Sequence, residues 1–300
     1  MQKAFSSADT PWQLIADSGS TKTTWCVVSR DTSTEVHTQG ISPYFLTRDQ
    51  ILDILETEVA PTLGVPAASI GEVHYYGTGL GAAANRRMLT EVLRATFPAA
   101  TVFAGDDLLG AARALCGRDK GVACILGTGS NSCYYDGSQV VANNPGLGFI
   151  LGDEGSGAVL GRKVIQYYLY HTFDEELSGA FDRKYQTTKS EILDKVYRKP
   201  FPNRYLASFS HFLNAHRGHF MIENILEDGL NDFFFTHVVK YPACWEYPVH
   251  FTGGVAWAFR DVIASLCGSY ELQLGHILKA PIEGLVAYHR AGSTPEGGKI

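Results

Sequence analysis

One design occurs twice in this chain, and that repeat limits the fold more than any other feature. Trp12-Gln-Leu-Ile-Ala-Asp17 reads as a strand, Ser18-Gly-Ser-Thr-Lys22 as a turn of small polar residues, and Thr23-Thr-Trp-Cys-Val-Val-Ser29 as the returning strand. Gly121-Val-Ala-Cys-Ile-Leu126, Gly127-Thr-Gly-Ser-Asn131 and Ser132-Cys-Tyr-Tyr-Asp136 follow the same plan. A hairpin with a small-residue tip opening each half points to an internal duplication. Between the hairpins, residues 73–76 predict a strand, 85–97 a helix, 101–104 a strand, and 107–115 a helix closed by Gly117. Strands alternating with helices indicate α/β layers. The second half is more helical: residues 159–172 form a broad apolar face, and Thr188-Lys-Ser-Glu191 fits a capping box. A strand over 247–252 runs into Gly253-Gly254, a helix follows to about Leu266, and Pro281 opens a last helix ending near His289.

Composition removes several function classes. Twenty-five basic residues against 31 acidic ones leave a net charge of −6 with no Lys/Arg cluster, which argues against a nucleic-acid surface. No apolar run reaches the ~18 residues of a membrane helix. Residues 1–10 lack a signal-peptide core and read as a disordered lead-in; the Gly-rich residues 291–300 read as a frayed tail. Cys26, Cys116, Cys124, Cys133, Cys244 and Cys267 form no C-x-x-C pair and read as reduced core thiols of a cytoplasmic protein, not as cluster or zinc ligands. His211, His216 and His219 read as ordinary helix-face residues.

Five short segments carry chemistry. The tip after Asp17 presents successive backbone N–H groups around Gly19, hydroxyls from Ser20 and Thr21, and the charge of Lys22: an anion nest for phosphate oxygens. Asp17 suits Mg²⁺ held through water, because that ion keeps much of its hydration shell. Gly127, Thr128 and Gly129, followed by Ser130 and Asn131, make a second nest; strand follows rather than helix, so this is not a dinucleotide fingerprint. Asp106 and Asp107 either cap the helix that follows or supply a general base for a hydroxyl attacking a γ-phosphate. Gly152-Asp-Glu-Gly-Ser-Gly157 leads into a helix; its glycines, Gly157 included, permit close approach of a ligand, and Asp153 can accept sugar hydroxyls. Gly253 and Gly254 leave room for a flat base against the backbone.

In order and spacing these segments resemble the actin-like ATPase superfamily, and within it the N-acetylglucosamine kinases and BadF/BadG/BcrA/BcrD-type ATPases, over about residues 13–288. The resemblance implies an α/β fold of two ribonuclease H-like domains, 1–119 and 120–300, with an interdomain cleft and a final helix, 281–290, packed back on the first domain. It implies that Asp107 of Asp-Leu-Leu-Gly110 is the catalytic base, that Thr21 and Thr128 contact ATP phosphates, and that Gly253 lies on the adenine side. Ser130, Asn131, Asp153 and the segment from Gly146 to Gly148 match sugar contacts; Ser42 stands where several relatives place an Asn that touches the sugar. The expected activity is ATP- and Mg²⁺-dependent phosphorylation of an amino-sugar hydroxyl, the primary 6-OH, on N-acetylglucosamine or a relative such as N-acetylmuramic acid. The expected partners are sugar and ATP alone, a homodimer remaining open. The alternatives are an energy-coupling ATPase of the 2-hydroxyacyl-CoA dehydratase activator type and a non-catalytic sugar sensor.

Overall fold

The structure is a computed structural model and describes residues 12–19, 21–29 and 32–292. Ser20, residues 1–10 of the expected lead-in and the tail beyond Gly292 lie outside the described residues. The chain forms two compact units, one from the residues up to Gly117 together with those from Pro281 onward, the other Arg118–Ala280.

The first unit is built on a five-stranded sheet of β1 (Trp12–Ser18), β2 (Lys22–Val28), β3 (Ser33–Gln39), β4 (Ile70–Gly77) and β5 (Thr101–Asp106), in the order β3-β2-β1-β4-β5. β1, β2 and β3 form an antiparallel meander; β4 pairs parallel with β1, and β5 parallel with β4. The second unit repeats this with β6 (Gly121–Leu126), β7 (Ser130–Tyr135), β8 (Val140–Asn144), β9 (Val249–Thr252) and β10 (Leu274–Leu278) in the order β10-β9-β6-β7-β8. Again three antiparallel strands are followed by two parallel ones. The duplication and the ribonuclease H-like α/β class are both present.

The period-2 alternation of strands explains why the first sheet is covered on both sides. Leu14, Ala16, Trp25, Val27, Val73 and Tyr75 face one core. Ile15, Cys26, Val28 and Tyr76 face the other, where Ile282 and Leu285 of the last helix, Ile282–Gly292, pack against them. In the second unit Val122, Cys124 and Leu126 of β6 join the helix Gly157–Leu169 and the long apolar helix Phe220–Thr236 in one core. All six cysteines are buried, and none is in a disulfide. Thr188 and Glu191 make the reciprocal capping box. Among the described residues no helix is long and apolar enough to cross a membrane.

Three strands escape the sequence reading: β3, β8 and β10. Each is a sheet edge. Most residues of β3 and β8 are exposed or half-buried, so no apolar alternation marks them.

Candidate active site

In the first unit the three parallel strands end in register: Ser18 pairs with Gly77, and Gly77 with Asp106. Functional groups of α/β sheets gather at such carboxyl ends. Strand parity puts Asp17 on the face of Ile15 and Tyr76, away from Ser18. The helix Asp107–Cys116 closes over that same face. A Cβ on Gly110 would stand 2.7 Å from Cβ of Tyr76, so the helix approaches this closely only because position 110 has none.

The two acidic residues at the helix start divide their work. Asp106 Oδ1 accepts the Leu109 N–H at 2.8 Å, which is the N-cap role. Asp107, one residue on, is free of that task. Burial pushes its carboxyl up to about 6, with a further upward push from Asp106 and partial relief from the N–H groups of Leu108 and of Asp107 itself. Asp17 is pushed up to about 7, chiefly by burial and then by the charge of Asp107; Lys22 opposes this. Two desolvated carboxylates, one of them raised further by the charge of the other, are a site built to receive a proton or a cation.

The hairpin tip is held by Gly19 N–H donating to the Lys22 carbonyl and by Gly40 N–H donating to the Thr21 carbonyl, both at 3.0 Å. The side chains of Thr21 and Lys22 are exposed. Ser18 Oγ lies 2.7 Å from Thr23 Oγ1, donates to the Ile41 carbonyl at 3.1 Å and receives the Ile41 N–H at 3.3 Å; Tyr75 Oη donates to the same carbonyl at 3.3 Å. This fastens the segment after β3 to the hairpin and leaves Ser42 2% exposed with a buried hydroxyl that has no hydrogen-bond partner among the described residues. Ser18 and Tyr75 were not singled out from sequence; the pairing that gives them meaning spans more than a strand and is not a local pattern.

The second unit uses the same strand ends. Gly127 N–H donates to the Gly129 carbonyl at 2.9 Å, and the start of the helix Gly157–Leu169 is bonded to this turn: Gly157 N–H to Gly127 O at 2.8 Å and Ala158 N–H to Thr128 O at 3.1 Å. Gly253 has φ +117°, donates to the Leu278 carbonyl at 3.1 Å, and a Cβ there would lie 2.3 Å from the Leu126 carbonyl oxygen. Asp153 has φ +59°, and its Oδ2 stands 2.9 Å from where a Cβ on Gly129 would be. Its carboxyl is held above the ordinary range chiefly by burial, against the Ser130 N–H that lowers it. Ser130 is 7% exposed, and its hydroxyl has no hydrogen-bond partner among the described residues. Asn131 Oδ1 accepts the Ser132 N–H at 2.9 Å and Asn143 Nδ2 at 3.0 Å; the Cβ position of Gly146 is 3.5 Å from the Ser130 carbonyl oxygen.

Thus Asp17, Asp107, the tip of Gly19, Thr21 and Lys22, and Ser42 gather in one unit. Gly127 to Asn131, Gly146, Asp153, Gly157 and Gly253 gather in the other. Gly148, with φ +74°, begins the four-residue helix Gly148–Leu151, and Gly254 begins another short helix; both are exposed, with nothing within 4 Å of a Cβ position. Glu154, inside the Gly152–Gly157 segment, completes the cluster around Asn131 and Asp153 together with Asn143 and His237, which carried no signal in sequence because β8 and the helix before His237 lie elsewhere in the chain.

The raised carboxyls also bear on stability. A carboxyl with a higher value folded than unfolded binds more protons when folded, so these groups cost stability as pH rises from about 4 through 7. Asp17→Asn should therefore stabilise the fold by roughly 1–3 kcal/mol at pH 8, raising the melting temperature there, and change it little at pH 4. Thermal melts at the two pH values check this; equal shifts at both would remove the desolvated-charge account.

No family model and no curated protein matches the chain. Among solved structures, a protein of Porphyromonas gingivalis provisionally named an N-acetylglucosamine kinase is 44% identical over 94% of this chain and 99% of its own, with a TM-score of 0.90. A Chromobacterium violaceum protein with the same provisional name is 18% identical over 93% of this chain and 98% of its own, with a TM-score of 0.69. A ROK family glucokinase from Streptomyces griseus, solved with glucose and AMPPNP, is 16% identical over 92% of this chain and 97% of its own, with a TM-score of 0.52; these last two share the fold. The duplicated sheets, the two glycine-tipped hairpins and a relative this similar over nearly its whole length place the chain in the N-acetylglucosamine kinase family of the actin-like ATPase superfamily.

Proposed function

We propose that the chain is an ATP-dependent amino-sugar kinase that transfers the γ-phosphoryl group to a sugar hydroxyl, the primary 6-OH of N-acetylglucosamine or a close relative. One observation carries the reading: Asp106 is consumed by the helix cap while Asp107 beside it keeps a carboxyl raised to about 6 next to Asp17. The similarity to the Porphyromonas gingivalis protein supports the substrate class.

In this reading Asp107 accepts the proton of the attacking hydroxyl as the oxygen closes on phosphorus, and ADP leaves. Thr21 and Thr128, with the N–H groups of their turns and Lys22, hold the phosphates; the open backbone at Gly253 and Gly254 takes the adenine. Asp153, Asn131 and the orphaned hydroxyls of Ser42 and Ser130 serve the sugar, whose own polar groups supply the partners these buried atoms lack. Asp17 fits the role of holding Mg²⁺ through water, since its desolvated carboxylate beside Asp107 favours a counter-cation. Mg²⁺ there would neutralise phosphate charge.

A coupled ADP-release assay over N-acetylglucosamine, N-acetylmuramic acid, glucosamine and glucose tests the reading. ADP release that rises with an N-acetylated sugar is the expected result. Sugar-independent ATP turnover would favour the energy-coupling ATPase, and sugar binding without turnover the sensor. The pH profile follows from the same groups: Asp107 must be ionised to act as a base, so kcat/KM should climb as pH rises through about 6 to 7 and level off above. A profile flat from pH 5 to 8 would contradict a carboxylate base with this environment.

A further inference from the structure

His237 is 3% exposed, yet both ring nitrogens have polar neighbours. Asn144 Nδ2 donates to the Thr236 carbonyl at 2.6 Å, which fixes the orientation of that amide, and it also lies 3.4 Å from His237 Nδ1. An amide nitrogen only donates, so Nδ1 accepts and the ring proton sits on Nε2. Nε2 in turn donates to Glu154 Oε2 at 3.2 Å.

Behind the ring the hydrogen bonds are complete. Ser132 Oγ is 3.4 Å from Nδ1 and 2.9 Å from Tyr241 Oη; Tyr241 donates to the Ser132 carbonyl at 3.0 Å and receives the Asn144 N–H at 2.6 Å. The open end is Glu154, whose Oε1 has no hydrogen-bond partner among the described residues. Its carboxylate stands where the sugar segments meet. It follows Asp153 directly, and Oε2 is 3.6 Å from the Cβ position of Gly152, which is itself 3.1 Å from Leu147 Cβ. Ser132 and Asn144, which back the ring, are the chain neighbours of Asn131 and Asn143.

A carboxylate held at one oxygen by a buried imidazole and open at the other is an acceptor of fixed direction. We infer that Glu154 contacts the sugar, its free oxygen accepting a hydrogen bond from a hydroxyl or acetamido N–H, and that His237 is the positioning residue that aims it; this rests on the amino-sugar kinase reading above. Neither residue takes part in phosphoryl transfer, so its loss is felt in sugar binding and not in nucleotide binding.

Steady-state kinetics with N-acetylglucosamine and ATP test this, with thermal melts confirming that each variant folds. Glu154→Gln keeps the shape but weakens the acceptor, and should raise the sugar KM roughly 10- to 100-fold while the ATP KM stays within about twofold. His237→Phe should give a smaller effect of the same kind, and His237→Gln, which keeps an N–H in reach of Glu154, should restore most of it. Because His237 acts through Glu154, the double variant should be no worse than Glu154→Gln alone. Glucose as second substrate separates the donors: an effect confined to N-acetylglucosamine assigns the amide N–H, and an effect on both assigns a hydroxyl. A sugar KM for Glu154→Gln within about threefold of the parent overturns the contact, and additive losses in the double variant overturn the positioning role. If the His237 variants do not fold, calorimetric sugar binding by Glu154→Gln still decides the contact. A parent protein without sugar-dependent ADP release brings down the kinase reading itself, a different outcome from an active kinase whose sugar KM ignores Glu154.

Discussion

Asp107→Asn should cut sugar-dependent ADP release by roughly 10²- to 10⁴-fold, the usual contribution of a positioned general base. Asn matches Asp in shape and retains the polar contact, so the KM values for sugar and ATP should move by only a few-fold. The loss is then one of kcat, as expected for an interaction realised as the hydroxyl proton departs. Asp106→Ala is the matched control. It removes the acceptor of the Leu109 N–H, costing about 0.5–2 kcal/mol of stability, and should leave kcat close to the parent value. Near-normal turnover of Asp107→Asn with saturating sugar would take Asp107 out of the chemistry, and a collapse of kcat in Asp106→Ala would show that the two roles are not separate.

The second large effect is expected at Gly253. A methyl group there would sit 2.3 Å from the Leu126 carbonyl oxygen, at φ +117°, a backbone conformation that L side chains rarely adopt. The clash falls on the backbone of β6, which has no flexible end to swing away, and the strain falls on residue 253 itself. Gly253→Ala should destabilise the protein by about 3 kcal/mol or more. It should also raise the ATP KM, because the carbonyl it pushes belongs to the residue just before Gly127. Gly254, with nothing within 4 Å of a Cβ position, is the comparison: Gly254→Ala should fold with nearly unchanged stability. A denaturation series on both variants reads the difference, and equal stabilities would mean that the backbone at Gly253 relaxes freely.

Much of the architecture was legible because it is written in local patterns. The hairpins β1–β2 and β6–β7 show themselves as apolar runs closed by small residues, and the capping box at Thr188 and Glu191 as a spacing of three. The edge strands β3, β8 and β10 do not, since a strand paired on one side with few buried side chains has no need of an apolar alternation. A helix from 255 to 266 is found broken at Phe259, whose ψ of 32° separates Gly254–Ala258 from Arg260–Ser269; the sequence has no Gly or Pro there to mark the break.

By itself, then, the amino-acid order determined the duplicated α/β plan, the two small-residue turns and the acidic pair at 106 and 107, since each is a matter of neighbours along the chain. Only the tertiary structure decided which acid is bound by the helix end and which stands free, and that burial and the charge of Asp107 raise the Asp17 carboxyl. It alone exposed the line from Tyr241 through Ser132 and His237 to Glu154. The physical reason is that burial, charge coupling and hydrogen-bond satisfaction depend on distances in space, and residues far apart in sequence reach those distances only after the strands have paired and the helices have closed over them.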